Sequence, residues 1–584
     1  MKVFYAFVFV FFSSHILCRH EDSDGVVGIV KSEKPINGIR IAWDYATLKQ
    51  LSPASANYSG YARMIQLHDE SLFCVYESDK TTYAIKSVDG GKRWSEPMII
   101  AAPENDIACA VPEVLQLHDK SIMVSYNLRP PVKNTDPVKR FSIQVIRSMD
   151  GGETWTKPVE VYKAGFEFRN GCWEPAQIQL PSGEIQLFIA NEGPYTQSSE
   201  QEITMFRSLD QGATWSKGEQ ISFRSGHRDG MPVPLLLQNN QEILVAIEDN
   251  GISGKEFKPA IIRTSTADCW NNAPVQGSDV SREYAMDKTA LIPETKYSGA
   301  PYLRQLPMGE VILSYQGNER RKDFQWDRSD MIVTIGNSEG RNFNRKSTPF
   351  YISDPSKTAL WSSLCVQNDS TVLALTSTNA YGKTAVWMIK GHVLREIKSR
   401  RATVSIDGER TEALWNSKAS VFIGGYGATQ ARINTAWDQN SLFLTAEVHD
   451  EKVFWASGDA EKDDAIQFFL DPRNLSLVLP DENIFSVTVT AGGMCVFKQG
   501  KNGSWSEWIP TGVISKSKKS SDGYQVELAI PWDALNYKPK KNERMGFHAV
   551  VLETSTGMGH AYEEALAGNI TEASYSWSPL FLTD

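Results

Sequence analysis

The sequence predicts an all-β protein, a six-bladed β-propeller followed by a β-sandwich, and three observations carry that reading. One hairpin pattern recurs six times between Tyr61 and Ser377. A shorter motif recurs three times in step with it. Beyond residue 400 the rhythm changes to segments that alternate apolar and polar residues. The fullest copy of the hairpin is Gly171-Cys172-Trp173-Glu174-Pro175-Ala176-Gln177-Ile178-Gln179-Leu180-Pro181-Ser182-Gly183-Glu184-Ile185-Gln186-Leu187. It holds an aromatic and a carboxylate, an alternating apolar run, a Pro-Ser-Gly turn and a second apolar run, the pattern of an antiparallel hairpin. The other copies begin near Arg63 (YARMIQLHDESLFCVYE), Glu113 (PEVLQLHDKSIMVSYN), Met231 (MPVPLLLQNNQEILVAIED), Pro301 (PYLRQLPMGEVILSYQG) and Trp361 (WSSLCVQNDSTVLALTS). Repeats about 50–70 residues apart leave room for one four-stranded blade each.

A chain of 584 residues exceeds one compact core, so two domains are expected. The formal net charge is −10 and no Lys/Arg run stands out, which argues against a nucleic-acid partner. The 16 Trp and 20 Tyr suit both β-structure and sugar binding, so composition alone does not choose between them. Residues 1–18 read as a secretory signal, with Lys2 ahead of the apolar run VFYAFVFVFF. The expected destination is secreted, periplasmic or cell-surface. Cys18 is a candidate lipid-anchored cysteine, although Leu17 is bulky where that signal takes a small residue. No other stretch reaches transmembrane length. The remaining cysteines, at 74, 109, 172, 269, 365 and 495, show neither CxxC nor metal-ligand spacing.

In chain order, residues 19–30 form a polar leader, and Ile39 to Leu48 reads as a strand that closes the ring on the last blade. The propeller is expected to span 19–395. Blades 1 to 3 carry Ser87-Val88-Asp89-Gly90-Gly91-Lys92-Arg93-Trp94, Ser148-Met149-Asp150-Gly151-Gly152-Glu153-Thr154-Trp155 and Ser208-Leu209-Asp210-Gln211-Gly212-Ala213-Thr214-Trp215. Blade 5 has a degraded copy from Gly336 to Phe343. These copies resemble the Asp-box of sialidase-like propellers. Its carboxylate can accept backbone N–H bonds in a tight turn, its Gly supplies positive φ and its Trp lies under the turn, so Asp89, Asp150 and Asp210 are structural rather than catalytic. After the basic linker LREIKSRRA, residues 400–584 alternate with period two in ARINTAWD, SLFLTAEVHD, DAIQFFLD and YQVELAIPW, as sandwich strands with one wet face do. Trp415, Trp437 and Trp532 lie in this framework and read as core. Trp455, Trp505 and Trp508 lie in looser stretches and are candidates for stacking on sugar.

Strand ends at one mouth of a propeller face its axis. The second strands end at Glu77, Asn127, Asn191-Glu192, Glu248, Gln316 and Ser377. The first strands begin at Arg63, Glu113, Glu174, Asp229 to Met231, Tyr302 to Arg304 and Trp361. Any one of these is readily a polar strand end in a solvated funnel. As a set they bring like charges together at a cost in stability, which is more often functional than structural. Glu174 and Glu248 come from adjacent blades and interrupt apolar contexts. A carboxyl against Trp173 and aliphatics should hold its proton to higher pH and act as a general acid, with a second carboxylate as nucleophile or base. Asp249 falls on the opposite face of its strand.

Two families compete for these residues. Sialidases share the Asp-boxes and six blades, and they bind a sugar carboxylate with three arginines, for which Arg63, Arg304 and Arg228 are available. They attack with a Tyr, yet the last inner strand reads Leu360-Trp361-Ser362. The propeller more closely resembles glycoside hydrolase family 93, the exo-α-1,5-L-arabinanases. The motifs are YARMIQL, VPEVLQL, SYNLRP, GCWEPAQIQLPSGEIQLFIANEGP, DGMPVPLLL with VAIEDNG, and APYLRQLPMGE with LSYQ; Ala62 departs from the usual Tyr-Pro-Arg. The resemblance implies two catalytic glutamates on neighbouring blades, which Glu174 and Glu248 fit, with their division of labour open. It also implies retention of configuration and release of a short arabino-oligosaccharide. Arg63, Glu113, Asn191, Asp229, Tyr302, Arg304, Gln316 and Trp361 would line the substrate pocket. No metal or cofactor is called for. The run IDGERTEALW, AWDQNSLFLTAEVHD, DDAIQFFLDP and YQVELAIPW resembles family 9 carbohydrate-binding modules. A third reading, a non-catalytic carbohydrate-binding propeller, predicts that Glu174 or Glu248 is exposed or tied into an ion pair away from the axis.

Overall fold

The computed structural model describes residues 39–584 apart from 323–324, 351, 353, 369–370, 395–396, 416–420, 424–428, 451, 456, 461, 476, 478, 555–561, 566–573 and 575–576. The expected signal peptide, the polar leader and Cys18 lie outside the described residues. Among those described, six four-stranded antiparallel sheets precede residue 395. The first strands of blades 1 to 6 are Ser59–Gln66, Ala108–Gln116, Cys172–Gln179, Asp229–Leu236, Ser298–Gln305 and Ala359–Val366. Each packs against the first strands of both neighbouring blades, so they form the innermost ring. Second strands such as Leu72–Ser78, Ile185–Asn191 and Thr371–Thr378 are buried throughout, because adjacent blades cover both their faces. Blade 6 takes its fourth strand from the start of the chain: Arg40–Gln50 pairs antiparallel with Ala385–Leu394, as the sequence led one to expect.

Three sets of side-chain contacts repeat around the ring. At the turn end of the inner strands, Gln66, Gln116, Gln179 and Gln305 each donate to a carbonyl in their own hairpin turn. Each also accepts a backbone N–H from the preceding blade, from Asn368, His68, His118 and Gln238 respectively, at 2.7–2.9 Å. Blades 4 and 6 have Leu236 and Val366 in the Gln position, and there the preceding blades have Pro181 and Pro307. Proline has no N–H to give, so an acceptor would be stranded and an apolar residue replaces it.

The second set is the Asp-boxes, on the same face. Ser148 Oγ accepts from Gly152 N at 2.8 Å, Asp150 Oδ1 accepts from Thr154 N at 2.9 Å, and Trp155 Nε1 donates to the Gly152 carbonyl at 3.2 Å. The boxes at Asp89 and Asp210 repeat these bonds. Gly152 and Gly212 have φ of 102° and 86°, and each sits where a Cβ would strike Phe73 or Met123 of the preceding blade. In blade 5 Asn337 takes the Asp part, accepting from Arg341 N at 2.9 Å. The boxes are structural.

The third set lies at the other mouth. Every inner strand carries a β-bulge near its start, and one bulge residue is left-handed: Tyr61, Val111, Glu174, Met231, Ala300 and Trp361, with φ between 48° and 52°. Opposite the residue before each bulge stand Glu77, Asn127, Ala190, Glu248, Gln316 and Ser377. Four of these reach the next blade and accept the bulge N–H: Glu77 from Val111, Glu248 from Ala300, Gln316 from Trp361, and Ser377 from Tyr61.

Beyond residue 396 the described strands form one thirteen-stranded sheet. Ile397–Arg401 links its halves by parallel pairing, with Gln430–Trp437 on one side and Ser578–Leu582 on the other. The sheet curls so that Ile433, Leu444 and Val526 of one half share a core with Phe468, Val487 and Phe547 of the other, which is the sandwich expected. Trp415, Trp437 and Trp532 are buried in it. Trp505 packs on Phe469 and Trp508 on Phe485, at 5.7 and 4.9 Å, whereas Trp455 is 48% exposed with Lys519 Nζ 5.1 Å from its ring.

Candidate active site

The six left-handed bulge residues converge on the axis, where Tyr61, Val111, Met231 and Ala300 pack together with Ala110 and the partly buried Trp361. Tyr61 and Trp361 are stacked, with ring centroids 5.0 Å apart and planes at 20°. Five members of this ring are apolar or aromatic, and the sixth is Glu174. Its side chain is 18% exposed, its nearest charged partner is Arg129 Nη2 at 3.7 Å, and among the described residues no donor hydrogen-bonds its carboxyl. Burial pushes Glu174 up to about 7; Glu248 and Glu192 add to the shift, while Arg129 and Arg228 oppose it.

Glu248 enters from blade 4. Burial raises its proton affinity, against the Ala300 N–H that its Oε2 accepts at 2.8 Å and the charge of Arg228. Gly299 makes room for it: a Cβ there would lie 2.3 Å from Glu248 Oε2 and 2.4 Å from the Tyr297 hydroxyl. Gln316 Nε2 donates to that hydroxyl at 2.9 Å, and burial, aided by the charges of Glu248 and Glu174, holds Tyr297 protonated. Gln316 thus fixes both Tyr297 and the Trp361 backbone.

The ring of bulge clamps is interrupted on both sides of Glu174. In blade 2, Asn127 accepts instead from Arg129 Nε at 3.1 Å, steering the guanidinium 4.9 Å over the Trp173 ring and toward Glu174. In blade 3, Ala190 has no acceptor. Trp173 Nε1 donates to Glu192 Oε2 at 2.9 Å, and Arg228 is ion-paired with the other oxygen of Glu192. The mouth therefore gathers Glu174, Glu248, Glu192, Arg129, Arg228, Tyr297 and the Tyr61–Trp361 pair. Neither Glu174 nor Glu248 is drawn away from the axis.

The other expected site residues lie elsewhere. Arg63, Glu113 and Tyr302 sit two residues past their bulges and Arg304 four, pointing to the same axis but deeper, at about 6.6 Å per two residues. They form a network beneath the floor. Arg63 Nε lies 3.5 Å from Glu113 Oε2 and its Nη1 donates to the Trp361 carbonyl; the Tyr302 hydroxyl reaches Glu113 at 3.1 Å and accepts from Arg304 Nη2 at 2.5 Å. Asp229 is fully buried, bound by both Arg282 Nη atoms at 2.7 Å and by Ser222 at 2.6 Å, together with Asp249. The bulge inverts the pleat ahead of Met231, which turns Asp229 to the face Asp249 occupies. Asn191 holds a turn, bonded to Thr204 and to Gly193 N, and Ala190 takes the mouth position expected of it. Sequence reasoning missed Arg129, Tyr297 and Tyr61. A repeated Tyr-Ser-Gly, at 58–60 and 297–299, was the available signal for Tyr297.

Residues 140–267 match the family described as BNR repeat-like domain, and residues 406–576 match Carbohydrate family 9 binding domain-like. Endo-1,4-beta-xylanase C of Paenibacillus barcinonensis is 26% identical over 173 residues, 29% of this chain and 15% of that protein, so the chain spans under a sixth of this curated relative. Among solved structures, the GH93 α-L-arabinofuranosidase of Fusarium graminearum with arabinobiose is 18% identical, covering 61% of this chain and 97% of its own, with a TM-score of 0.45. The Penicillium chrysogenum α-L-arabinanase with arabinobiose is 16% identical, at 60% and 97% coverage and a TM-score of 0.44. The chain thus joins a six-bladed propeller carrying a BNR-type stretch to a C-terminal region that matches a carbohydrate-binding family.

Proposed function

We propose that the protein is an exported glycoside hydrolase, exo-acting and retaining, that releases short arabino-oligosaccharides from α-1,5-L-arabinan or a related plant polysaccharide. The observation that carries this reading is Glu174, a lone carboxyl in an apolar six-residue ring that keeps its proton to about pH 7 beside a second carboxyl from the next blade. Glu174 is suited to protonate the leaving glycosidic oxygen. Glu248, with Oε2 fixed by the Ala300 N–H and Oε1 left over, is suited to attack the anomeric carbon. Loss of the leaving group as the free alcohol leaves Glu174 ionised. It then takes a proton from water, which displaces the glycosyl group from Glu248 with a second inversion and hence net retention. The Tyr61–Trp361 pair offers a flat apolar surface for a sugar face. The arabinan assignment rests on the motifs of the hairpins, and the C-terminal region would hold the enzyme near its polymer.

The test is hydrolysis of linear α-1,5-arabinan by the purified protein and its Glu174→Gln and Glu248→Gln variants, with sialyl-lactose as control. A single short product of retained anomeric configuration, lost in both variants, is the expected result. Sialic acid release would overturn the substrate assignment. Inactivity on both substrates, with unchanged arabinan binding, would favour the non-catalytic reading.

A further inference from the structure

The mouth opposite Glu174 holds a cavity of about 540 Å³ at the turn ends of the inner strands, lined by Met64, Leu235, Arg304, Cys365, Val366 and Gln367 among others. We propose that this cavity is a binding site for a small oxyanion or short carboxylate, held by the guanidinium of Arg304.

The repeat isolates the residue. Four positions past the bulge the inner strands carry Ile65, Leu115, Ile178, Leu235 and Cys365, and in blade 5 alone a charge, Arg304. That guanidinium donates to the Leu303 carbonyl at 2.8 Å and to the Tyr302 hydroxyl, and lies 4.3 Å over the Tyr302 ring. Among the described residues no carboxylate is within ion-pairing distance of it. The acid closest in the network, Glu113, is already engaged by Arg63 and by the Tyr302 hydroxyl. The axial network therefore holds two guanidiniums against one carboxylate, and Arg304, half-buried, faces the cavity with its charge unmatched by a carboxylate. Its remaining N–H groups present the planar fork that suits an oxyanion. Among the described residues, nothing hydrogen-bonds the side-chain amide of Gln367, on the same wall. The layer of Arg63, Glu113 and Tyr302 separates this cavity from Glu174 and Glu248, so the ligand is neither substrate nor product of the hydrolytic mouth.

Thermal unfolding and calorimetric titration of the full chain with inorganic phosphate, and separately with acetate, test the proposal against sodium chloride at equal ionic strength. A saturable rise in Tm of a few degrees is expected with at least one of the two anions, and which one acts assigns the ligand class. Arg304→Met should abolish the response. Gln367→Glu adds a carboxylate to the cavity wall without placing it in the core, and should weaken or cancel the response to added anion; it decides the matter if Arg304→Met does not fold. Responses no different from those to chloride, or retained in the variants, would overturn the assignment.

Discussion

The two faces of the propeller obey different rules. On the Asp-box face the blades agree, and where they disagree the disagreement is matched: Leu236 replaces Gln opposite Pro181, and Val366 replaces Gln opposite Pro307. At the other mouth the blades disagree without compensation. Glu174 interrupts an apolar ring, and the two clamps flanking it are missing because Asn127 turns to Arg129 and Ala190 has no acceptor. A departure paired with a neighbour's departure preserves the fold; an unpaired one costs stability and marks where chemistry is to be sought. By that rule Arg304 is the exception on its own face.

The comparison can be tested from its strongest consequence downward. Glu174→Gln should lower kcat/KM on arabinan by roughly 10²–10⁴-fold, the usual weight of a general acid; in the wild type kcat/KM should fall above about pH 7 as the acid is lost. Gly299→Ala should cost about 10²-fold in activity, because its Cβ would displace Glu248 and Tyr297 together, while Gly183→Ala, strained by its φ of 94° in a turn on the opposite face, should lower stability but leave activity unchanged. Glu174→Gln should also stabilise the protein by about 2–3 kcal/mol at pH 8. The sign follows from the raised affinity: between about 4.5 and 7 the folded state binds more protons than the unfolded state, so the wild type loses stability across that window as pH rises. Denaturant unfolding at pH 8 and at pH 4.5 measures both ends, and the advantage should vanish at the lower pH. The smallest effect belongs to the matched face. Gln116→Leu should cost up to about 1 kcal/mol by removing its bonds to the exposed His68 N–H and the Lys120 carbonyl, and adding His68→Pro should recover part of it, a coupling a double-mutant cycle can resolve.

Most of the fold was legible because a repeat states each strand several times over. The six hairpins, the Asp-boxes, the closing first strand and the change of rhythm at 400 all rest on periodicity. What was not legible was depth. Hydrophobic alternation tells which face a residue takes, but residues two apart share a face, so Arg63 and Glu113 read as neighbours of Glu174 when they lie a layer below it. The bulge explains Asp229, because one extra residue flips the pleat and moves it off the axis, whereas Asn191 simply lies one residue beyond the mouth position that Ala190 holds. Glu174 and Glu248, which the fold brings to one mouth, stand out in the sequence because each interrupts an apolar run. Arg129 and Tyr297 do not, because their importance comes from contacts between blades that no local pattern encodes.

The closing strand sets an order of events. Arg40–Gln50 is synthesised ahead of all the inner strands, yet its partner Ala385–Leu394 is among the last of the propeller to appear. Until then blade 6 lacks its outer strand and the ring stays open, with unpaired strand edges exposed to solvent and to other chains. The propeller can close only after its whole length has emerged. Folding yield should therefore depend on that wait as well as on the stability of the finished ring.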